Sequence, residues 1–360
     1  MIPTEPTDGP LTFEELQLAT RNRGMPLEAL RYDITPVGLH YLLIHFDIPL
    51  LDAATWRLKV GGAVARPYEL TLEEILAMPA QTLAVTMECA GNGRARLQPR
   101  PLSNPWLYEA IGTAEWTGTP LWPLLERAGL NDDAIEILFT GADRGFQKEI
   151  EHDYQRALTI SEVQRPEVML VYAMNGRPLE PQHGFPLRLI VPGWYGMTSV
   201  KWLRSIEAIT QPFTGYQQTP AYHFTQSAED QGEPVQRIRP RALMVPPGVP
   251  DYFTRHRTAD VGRVEISGRA WSGAGEVTRV EVGVDGSWSD ARLGESVGPF
   301  AWRSWSFTWE AVAGEHTLSC RATDSTGAVQ PIDQPWNHQG MGNNSVQTIE
   351  VTVRQAITGR

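Results

Sequence analysis

The segment TMECAGNGR, residues 86–94, places one cysteine between an apolar run and a loop of small residues. The run at residues 83–87 is short and apolar, which favours a strand, and Cys89 follows it closely. Glycines beside the thiol allow the backbone to approach a ligand. A thiolate is a soft donor that suits transition metals, and Arg94 would favour its ionised form. A buried structural cysteine fits the same spacing, so the pattern alone leaves both interpretations open.

Helix-start patterns and other short apolar runs surround this segment. Two Thr-x-x-Glu patterns, beginning at Thr12 and Thr71, predict capped helix starts. Another helix is predicted over residues 121–128, ending before Gly129. The runs that predict strands are residues 83–87, 135–140, 168–172 and 187–191. This mixture of helices and strands indicates an α+β fold.

The pattern changes after Pro234, where a stretch rich in proline and arginine leads into strict alternation of apolar and polar residues. One such run ends at the turn pattern Asp285-Gly286. The alternating apolar positions are Val280, Val282 and Val284, then Trp305, Phe307 and Trp309, then Ile349, Val351 and Val353. Short strands with glycine-rich turns predict an antiparallel β-sandwich of immunoglobulin type.

The length of 360 residues favours two domains, because a single hydrophobic core rarely grows that large. We place the boundary near residue 234. Residues 1–234 are predicted to form a mixed α/β domain and residues 235–360 the immunoglobulin-like sandwich, so the fold class is α+β overall.

Charge and composition exclude several classes of protein. The net charge of -11 argues against a general nucleic-acid binder, and no apolar run is long enough to span a membrane. The start MIPTEPTDGP lacks the features of a signal peptide, so we expect the cytoplasm, or the periplasm if a cleaved signal was omitted. Two cysteines cannot form a disulfide framework, and no CxxCH pattern indicates covalent haem. Cys320, within HTLSCRA, is predicted to be a buried core thiol.

Four ordered stretches resemble the sulfite oxidase family. The string CAGNGR, beginning at Cys89, is similar to the family's metal-binding motif. Residues 172–193 and 199–203 resemble its pterin-binding stretch, residues 35–49 its first active-site segment, and residues 270–286 the start of its dimerisation domain. The resemblance implies a molybdenum-molybdopterin cofactor, with one pyranopterin in each chain, and a homodimer.

Site residues follow from the resemblance position by position. Cys89 matches the metal ligand, and Arg94, Trp106 and Tyr154 match residues of the substrate pocket. The positions that match the pterin site are His45, Asp143, His183, Arg188, Ser199 and Lys201. A pterin with a phosphate needs convergent polar and cationic groups, which these residue types supply. Judged alone, Asp143 would fit a loop cap, Lys201 a surface charge, and the two aromatics a core.

Three positions depart from the family's pattern. Leu43 and Glu276 stand where the family has arginines that surround a bound sulfite, and Gly93 replaces the first residue of an Arg-Arg pair. We therefore expect a weak sulfite site, unless Arg144 or Lys148 reaches inward as a substitute.

The resulting hypothesis is an oxidoreductase that transfers an oxygen atom to sulfite or a related sulfur compound. Because no haem motif is present, electrons are expected to leave for an external acceptor such as a cytochrome. Two alternatives stay open. The same cofactor could serve a carrier-bound sulfur intermediate or sulfoxide reduction, or the chain could be a non-catalytic binding protein of immunoglobulin type.

Overall fold

The protein was analysed as a computed structural model that describes residues 5–355. Its helices are α1 (Phe13–Arg21), α2 (Leu72–Leu76), α3 (Trp122–Ala128) and α4 (Ile160–Val163). The strands of the first 240 residues are β1 (Arg57–Gly62), β2 (Tyr68–Thr71), β3 (Gln81–Glu88), β4 (Ile111–Pro120), β5 (Glu136–Gln147), β6 (Ile150–Thr159), β7 (Met169–Met174), β8 (Arg177–Pro178), β9 (Arg188–Ile190), β10 (Leu203–Ile209), β11 (His223–Phe224) and β12 (Glu233–Pro234). The remaining strands are β13 (Arg241–Met244), β14 (Val249–Pro250), β15 (Arg257–Asp260), β16 (Gly262–Trp271), β17 (Val277–Val284), β18 (Ser287–Asp290), β19 (Arg292–Ser296), β20 (Arg303–Ala311), β21 (Gly314–Asp324) and β22 (Gln347–Arg354).

The local sequence signals for helices are confirmed. The Thr12 and Thr71 side chains each accept from the backbone of the glutamate three residues on, and that glutamate bonds back to the cap. Helix α3 ends at Gly129, whose φ of 69° lies in the left-handed region that glycine tolerates. The helices are short, however, and strands make up most of the ordered structure.

Two sheets form the first half of the molecule. One has the order β2-β1-β10-β5-β6, and the other has the order β3-β4-β7-β8 with β9 paired to β7. The four apolar runs predicted as strands correspond to β3, β5, β7 and β9. Cys89 directly follows β3, Tyr154 lies on β6 and Arg188 lies on β9, and the three side chains line one cleft.

The second half is a β-sandwich, as predicted. A four-stranded sheet, β13-β16-β20-β19, packs on a six-stranded sheet, β14-β15-β22-β21-β17-β18. Asp285 and Gly286 form the two-residue turn between β17 and β18, both with positive φ. Cys320 is fully buried in the core between the sheets, as predicted. The sandwich is not antiparallel throughout, because β15 pairs with β22 in parallel.

The two halves meet across an interface, which we call the seam, where an apolar cluster that spans both halves accompanies buried polar groups. Its centre is a buried ion pair in which Arg241 Nη1 lies 2.7 Å from Glu88 Oε1. The indole of Trp271 donates to the other carboxylate oxygen of Glu88 at 2.8 Å. Backbone also crosses the seam, since Thr86 N donates to Phe300 O. In the part of the chain that the structure describes, no helix is long and apolar enough to cross a membrane.

Candidate active site

A cleft opens beside Cys89 at the end of β3. Its volume is about 690 Å³ when the space open to solvent is included. Eight of the ten predicted site residues line it: His45, Cys89, Asp143, Tyr154, His183, Arg188, Ser199 and Lys201. The other two, Arg94 and Trp106, are buried beside Cys89 and do not form part of the lining.

Cys89 presents a half-buried thiol to the cleft. Burial raises the pKa of this thiol above its ordinary value, while the charge of Arg94 and a hydrogen bond from Trp106 oppose the rise. The expectation that Arg94 would make the thiol ionised is therefore only partly met, because desolvation outweighs the arginine. A bound metal cation would reverse this balance, since coordination requires the thiolate.

Arg94 lies directly under the glycine-rich loop. A Cβ at Gly91 would come within 2.5 Å of its guanidinium, so only glycine leaves the arginine room. Its Nε donates to Gln339 O at 3.2 Å, and Nη1 donates to Asn104 O at 3.3 Å. The buried guanidinium thus bonds to carbonyl oxygens, and it keeps its full charge next to the thiol.

His183 and Arg188 flank a tight turn, as the sequence predicted. Gly184 has a φ of 105°, and a Cβ there would meet both the Arg188 and Lys201 side chains at about 3.2 Å. Arg188 donates to His183 O at 3.0 Å and to Ser199 O at 3.1 Å. Burial lowers the pKa of Arg188 to about 10 and that of His183 to about 2, so His183 is neutral. The turn therefore holds a charged and an uncharged donor side by side.

Lys201 and Asp143 both line the cleft and carry opposite charges. Burial lowers the pKa of Lys201 and raises that of Asp143, and the attraction between the two charges opposes both shifts. The Lys201 ammonium donates to Leu43 O at 2.7 Å and to Gln182 O at 3.1 Å. A phosphate placed here would favour the charged form of Lys201.

His45 belongs to a cluster of polar side chains at one end of the cleft. Its Nε2 lies 2.9 Å from Gln147 Oε1 and 3.0 Å from the amide nitrogen of Gln217. The same Gln217 nitrogen lies 3.0 Å from His152 Nε2. Burial lowers the pKa of His45 to about 4, so this imidazole offers hydrogen bonds without charge.

The residues fit a large, anionic, hydrogen-bonding ligand. Three buried arginines at or next to the cleft, Arg94, Arg156 and Arg188, have no carboxylate within 4 Å among residues 5–355. Several buried polar atoms there have no partner in the described part of the chain: His40 Nε2, His183 Nε2, Arg188 Nε and Thr198 Oγ1. Because buried polar groups are nearly always paired in folded proteins, these atoms indicate a ligand site. A molybdenum-pterin cofactor with its phosphate would supply acceptors for these donors, and the thiolate of Cys89 would be a soft donor for its metal.

Three site residues were missed from the sequence. His40 is buried with its ring 6.0 Å from that of His183, although it lies in the same quoted segment as His45. Arg156 is two residues after Tyr154 on β6 and therefore on the same face, which is the signal that could have found it. Tyr222 lines the cleft but lies in an irregular segment with no periodicity to reveal it.

Leu43 and Glu276, which stand at positions where arginines were expected, lie in different surroundings. Leu43 lines the cleft, so the cleft lacks a positive charge at this position. Glu276 is exposed and does not line the cleft, so its charge does not point toward a ligand bound there. Arg144 is also exposed and pairs with Glu151 and Asp153, and Lys148 is exposed. Neither substitutes for the missing arginine, because both lie on the outer surface.

Comparison with known proteins agrees with this geometry. Residues 45–217 match the oxidoreductase molybdopterin binding domain, and residues 249–354 match the Mo-co oxidoreductase dimerisation domain. The proposed boundary near residue 234 falls between the two matched ranges.

Full-length relatives extend the match across both halves. Sulfite oxidase of Gallus gallus is 33% identical over 330 residues, covering 86% of this chain and 71% of that protein. Mitochondrial sulfite oxidase of Mus musculus is 32% identical over 341 residues, and the chain spans 62% of its length. The crystal structure of the sulfane dehydrogenase SoxCD from Paracoccus pantotrophus superposes with a TM-score of 0.80 at 26% identity, covering 97% of this chain and 94% of that chain. The chain belongs to the sulfite oxidase family of molybdopterin oxidoreductases.

Proposed function

We propose that the protein oxidises a small sulfur oxyanion, with sulfite as the leading substrate, by oxygen-atom transfer. The observation that carries this proposal is the thiol of Cys89 in a cleft that has, at or next to it, three buried arginines without carboxylate partners, Arg94, Arg156 and Arg188. A site of this charge selects anions, and the thiol suits a soft metal.

The cofactor would be held by residues on three sides of the cleft. Cys89 would bind molybdenum, and Arg188 and Lys201 would contact the phosphate together with the backbone near Ser199. His45, Asp143 and His183 would bond to the pterin. When bound, the cofactor supplies the two-electron redox chemistry, and the protein contributes binding, orientation and charge.

The substrate would bind on the Arg94 side of Cys89. Tyr154, which lines the cleft, and Trp106, which is buried near Cys89, would lie on either side of it. Leu43 offers no charge at the position of an arginine, so we expect sulfite to bind weakly.

Electrons would pass to an external acceptor such as a cytochrome. We also propose a homodimer formed through the sandwich after residue 234, since this half contains the matched dimerisation domain. Light scattering that gave the mass of a single chain at micromolar concentration would contradict the dimer.

The decisive experiment measures molybdenum and pterin in the purified protein, together with sulfite-dependent reduction of ferricyanide. We expect one molybdenum per chain and a slow reaction with a high KM for sulfite. Protein without molybdenum after expression in a host that makes the cofactor would favour the non-catalytic alternative.

A second candidate substrate is a sulfur group attached to a carrier. It is favoured by Leu43, which makes this side of the cleft less selective for a small dianion, and by the likeness to a sulfane dehydrogenase. Cofactor-loaded protein that reduces ferricyanide with a carrier-bound sulfane but not with sulfite would support it. Activity with a sulfoxide and a reduced dye would instead support the reverse direction.

A further inference from the structure

The loop that carries Cys89 comes from the first half of the molecule, but a segment of the second half closes over it. This segment, residues 337–343, lies between β21 and β22 and is neither helix nor strand, and we call it the closing segment. It bonds directly to the residue after Cys89, because Gly342 N donates to Ala90 O at 2.7 Å. The position of the thiol therefore depends on both halves of the molecule.

Asn343 makes a second bond from the closing segment to the loop. Its side-chain nitrogen donates to Gly93 O at 2.7 Å, and the residue is 2% exposed. Its side-chain oxygen accepts from the backbone and the hydroxyl of Ser345 at 3.0 Å, so the amide cannot turn without losing these bonds. A Cβ at Gly93 would lie 3.0 Å from this amide, and φ there is 86°. The glycine that replaces an arginine at this position thus allows the close approach of Asn343.

The closing segment also holds Arg94, the buried cation beside the thiol. The Gln339 carbonyl accepts from Arg94 Nε at 3.2 Å, and Met341 Sδ lies 3.5 Å from Arg94 Nη2. A Cβ at Gly340 would come within 2.7 Å of the Arg94 side chain, so a glycine is needed there. The side chain of Asn337 bonds to both the N–H and the carbonyl of Met341 at 2.9 Å, which keeps the segment in the shape that fits the loop.

Glu88, on the other side of the thiol, is bonded to the same part of the second half. Arg241 Nη1 donates to Glu88 Oε1 at 2.7 Å and to Asn343 O at 3.0 Å. The residues before and after Cys89 are thus fixed by the second half, whereas Cys89 N donates to Ala110 O in the first half. Bonds around a metal ligand of this kind set its direction toward the metal.

We infer that Asn343 is a positioning residue for Cys89, through which the sandwich half sets the direction of the metal-binding thiol. This inference rests on the proposed role of Cys89 as the metal ligand, and it does not depend on the identity of the substrate. It gives the second half a role at the cleft in addition to assembly.

The first test measures how fast Cys89 reacts with a bulky maleimide in cofactor-free, full-length protein. The chain has two cysteines, and Cys320 is fully buried, so the fast reaction reports on Cys89. Asn343→Asp keeps the size of the side chain and removes the donor to Gly93 O. Because one buried hydrogen bond less favours opening of the loop, we expect labelling to become about tenfold faster.

Asn344→Asp is the matched control. Asn344 is buried, and its side-chain nitrogen donates at 2.8 Å to Pro240 O within the second half. Both variants lose one buried donor and gain a charge, so both should lower the melting temperature, but only Asn343→Asp should speed labelling. Asn343→Ala and Asn344→Ala give the same comparison without an added charge if an aspartate variant does not fold.

Cofactor-loaded protein supplies a second readout. The electron paramagnetic resonance signal of Mo(V) depends on the geometry of the sulfur ligand, so Asn343→Asp should shift its g values. The kcat should fall severalfold while the KM for sulfite stays within about twofold, since the substrate contacts are kept. Asn344→Asp should leave the signal and both constants unchanged.

Hydrogen exchange of the wild type needs no variant. Peptides from residues 89–94 and from the closing segment should exchange at similar rates, because the two open together. Equal labelling rates in the Asn343 and Asn344 variants, an unchanged Mo(V) signal in Asn343→Asp, or much faster exchange in the closing segment would overturn the inference. A protein without molybdenum would contradict the proposed function, whereas labelling and exchange would still decide the role of Asn343.

Discussion

Glu88 and Cys89 are neighbours in sequence, yet they belong to two regions with opposite polar chemistry. Glu88 points into the seam, where Arg241, Trp271 and Asn92 satisfy its two carboxylate oxygens at 2.7–2.9 Å. Cys89 points into the cleft, where cations are buried and carboxylate partners are few. One strand end therefore separates a region that is complete within the chain from one that needs a ligand.

The buried arginines also fall into two groups, those with a carboxylate partner and those at or beside the cleft without one. Seven arginines are buried among residues 5–355. Four of them have a carboxylate within 4 Å: Arg100 with Glu15, Arg241 with Glu88, Arg257 with Glu28 and Arg269 with Asp33. Arg94, Arg156 and Arg188 have none and lie at or beside the cleft. Since an unpaired buried charge is costly, the missing partner at the cleft is best explained by an anionic ligand.

The largest effect is expected for Cys89→Ser, which replaces the soft ligand of the cleft with a hard, poorly ionised one. We expect turnover to fall by three orders of magnitude or more, on the order of the loss seen when a reacting group is removed. Cys320→Ser makes the same chemical change in the sandwich core and should retain activity in the fraction that folds. Near-normal turnover in Cys89→Ser would show that activity does not depend on a thiolate in the cleft.

At the seam, Glu88→Gln tests whether this region depends on an ion pair. The change keeps the shape of the side chain and leaves the charge of Arg241 without a partner, so we expect a loss of about 3 kcal/mol in the free energy of unfolding. Glu69→Gln, in an exposed pair with Lys59, should change it by less than about 0.5 kcal/mol. Denaturant unfolding gives both values, and equal values would show that the seam pair contributes no more than a surface pair.

Much of the fold was predictable because its signals are local. The caps at Thr12 and Thr71, the helix end at Gly129 and the turn at residues 285–286 each depend on a few adjacent residues. The parallel pairing of β15 with β22 was not predictable, since these strands are about 90 residues apart and pair through tertiary packing. The two-residue strands β8, β11, β12 and β14 are too short to leave a period in the sequence.

The residues of the candidate site also fall into two groups, those that local motifs reveal and those that depend on tertiary packing. Cys89, His183 and Arg188 lie in motifs whose order and spacing indicate a shared ligand, and the structure brings them to one cleft. Arg156 and Tyr222 could not be found in this way, because their importance lies in what surrounds them. No sequence pattern tells whether a buried arginine will meet a carboxylate. The sequence also could not reveal that Leu43 faces the cleft while Glu276 faces solvent.

Arg188→Met tests whether a buried arginine without a carboxylate partner serves the cofactor and not the stability of the fold. Loss of a charge-assisted contact should weaken cofactor retention by about 1.5–3 kcal/mol, so molybdenum per chain should fall after dialysis. The melting temperature of cofactor-free protein should change little, because the variant also removes an unpaired buried charge. Arg257→Met, which breaks a carboxylate pair, should show the reverse: a lower melting temperature with molybdenum retained. Full molybdenum content with a raised sulfite KM in Arg188→Met would instead assign Arg188 to the substrate.

The smallest effect is expected at the two positions where an arginine was anticipated. Leu43→Arg adds a cation to the lining of the cleft, whereas Glu276→Arg adds one on the exposed surface. A single charge-assisted bond to sulfite should lower its KM about tenfold in Leu43→Arg, and Glu276→Arg should leave KM within about twofold. Steady-state kinetics at fixed ionic strength separates direct contact from general attraction. A comparable drop in KM in both variants would mean that net charge, and not the position of the arginine, controls substrate binding. An unchanged KM in Leu43→Arg, with the cofactor retained, would mean that the oxyanion does not contact this position of the cleft.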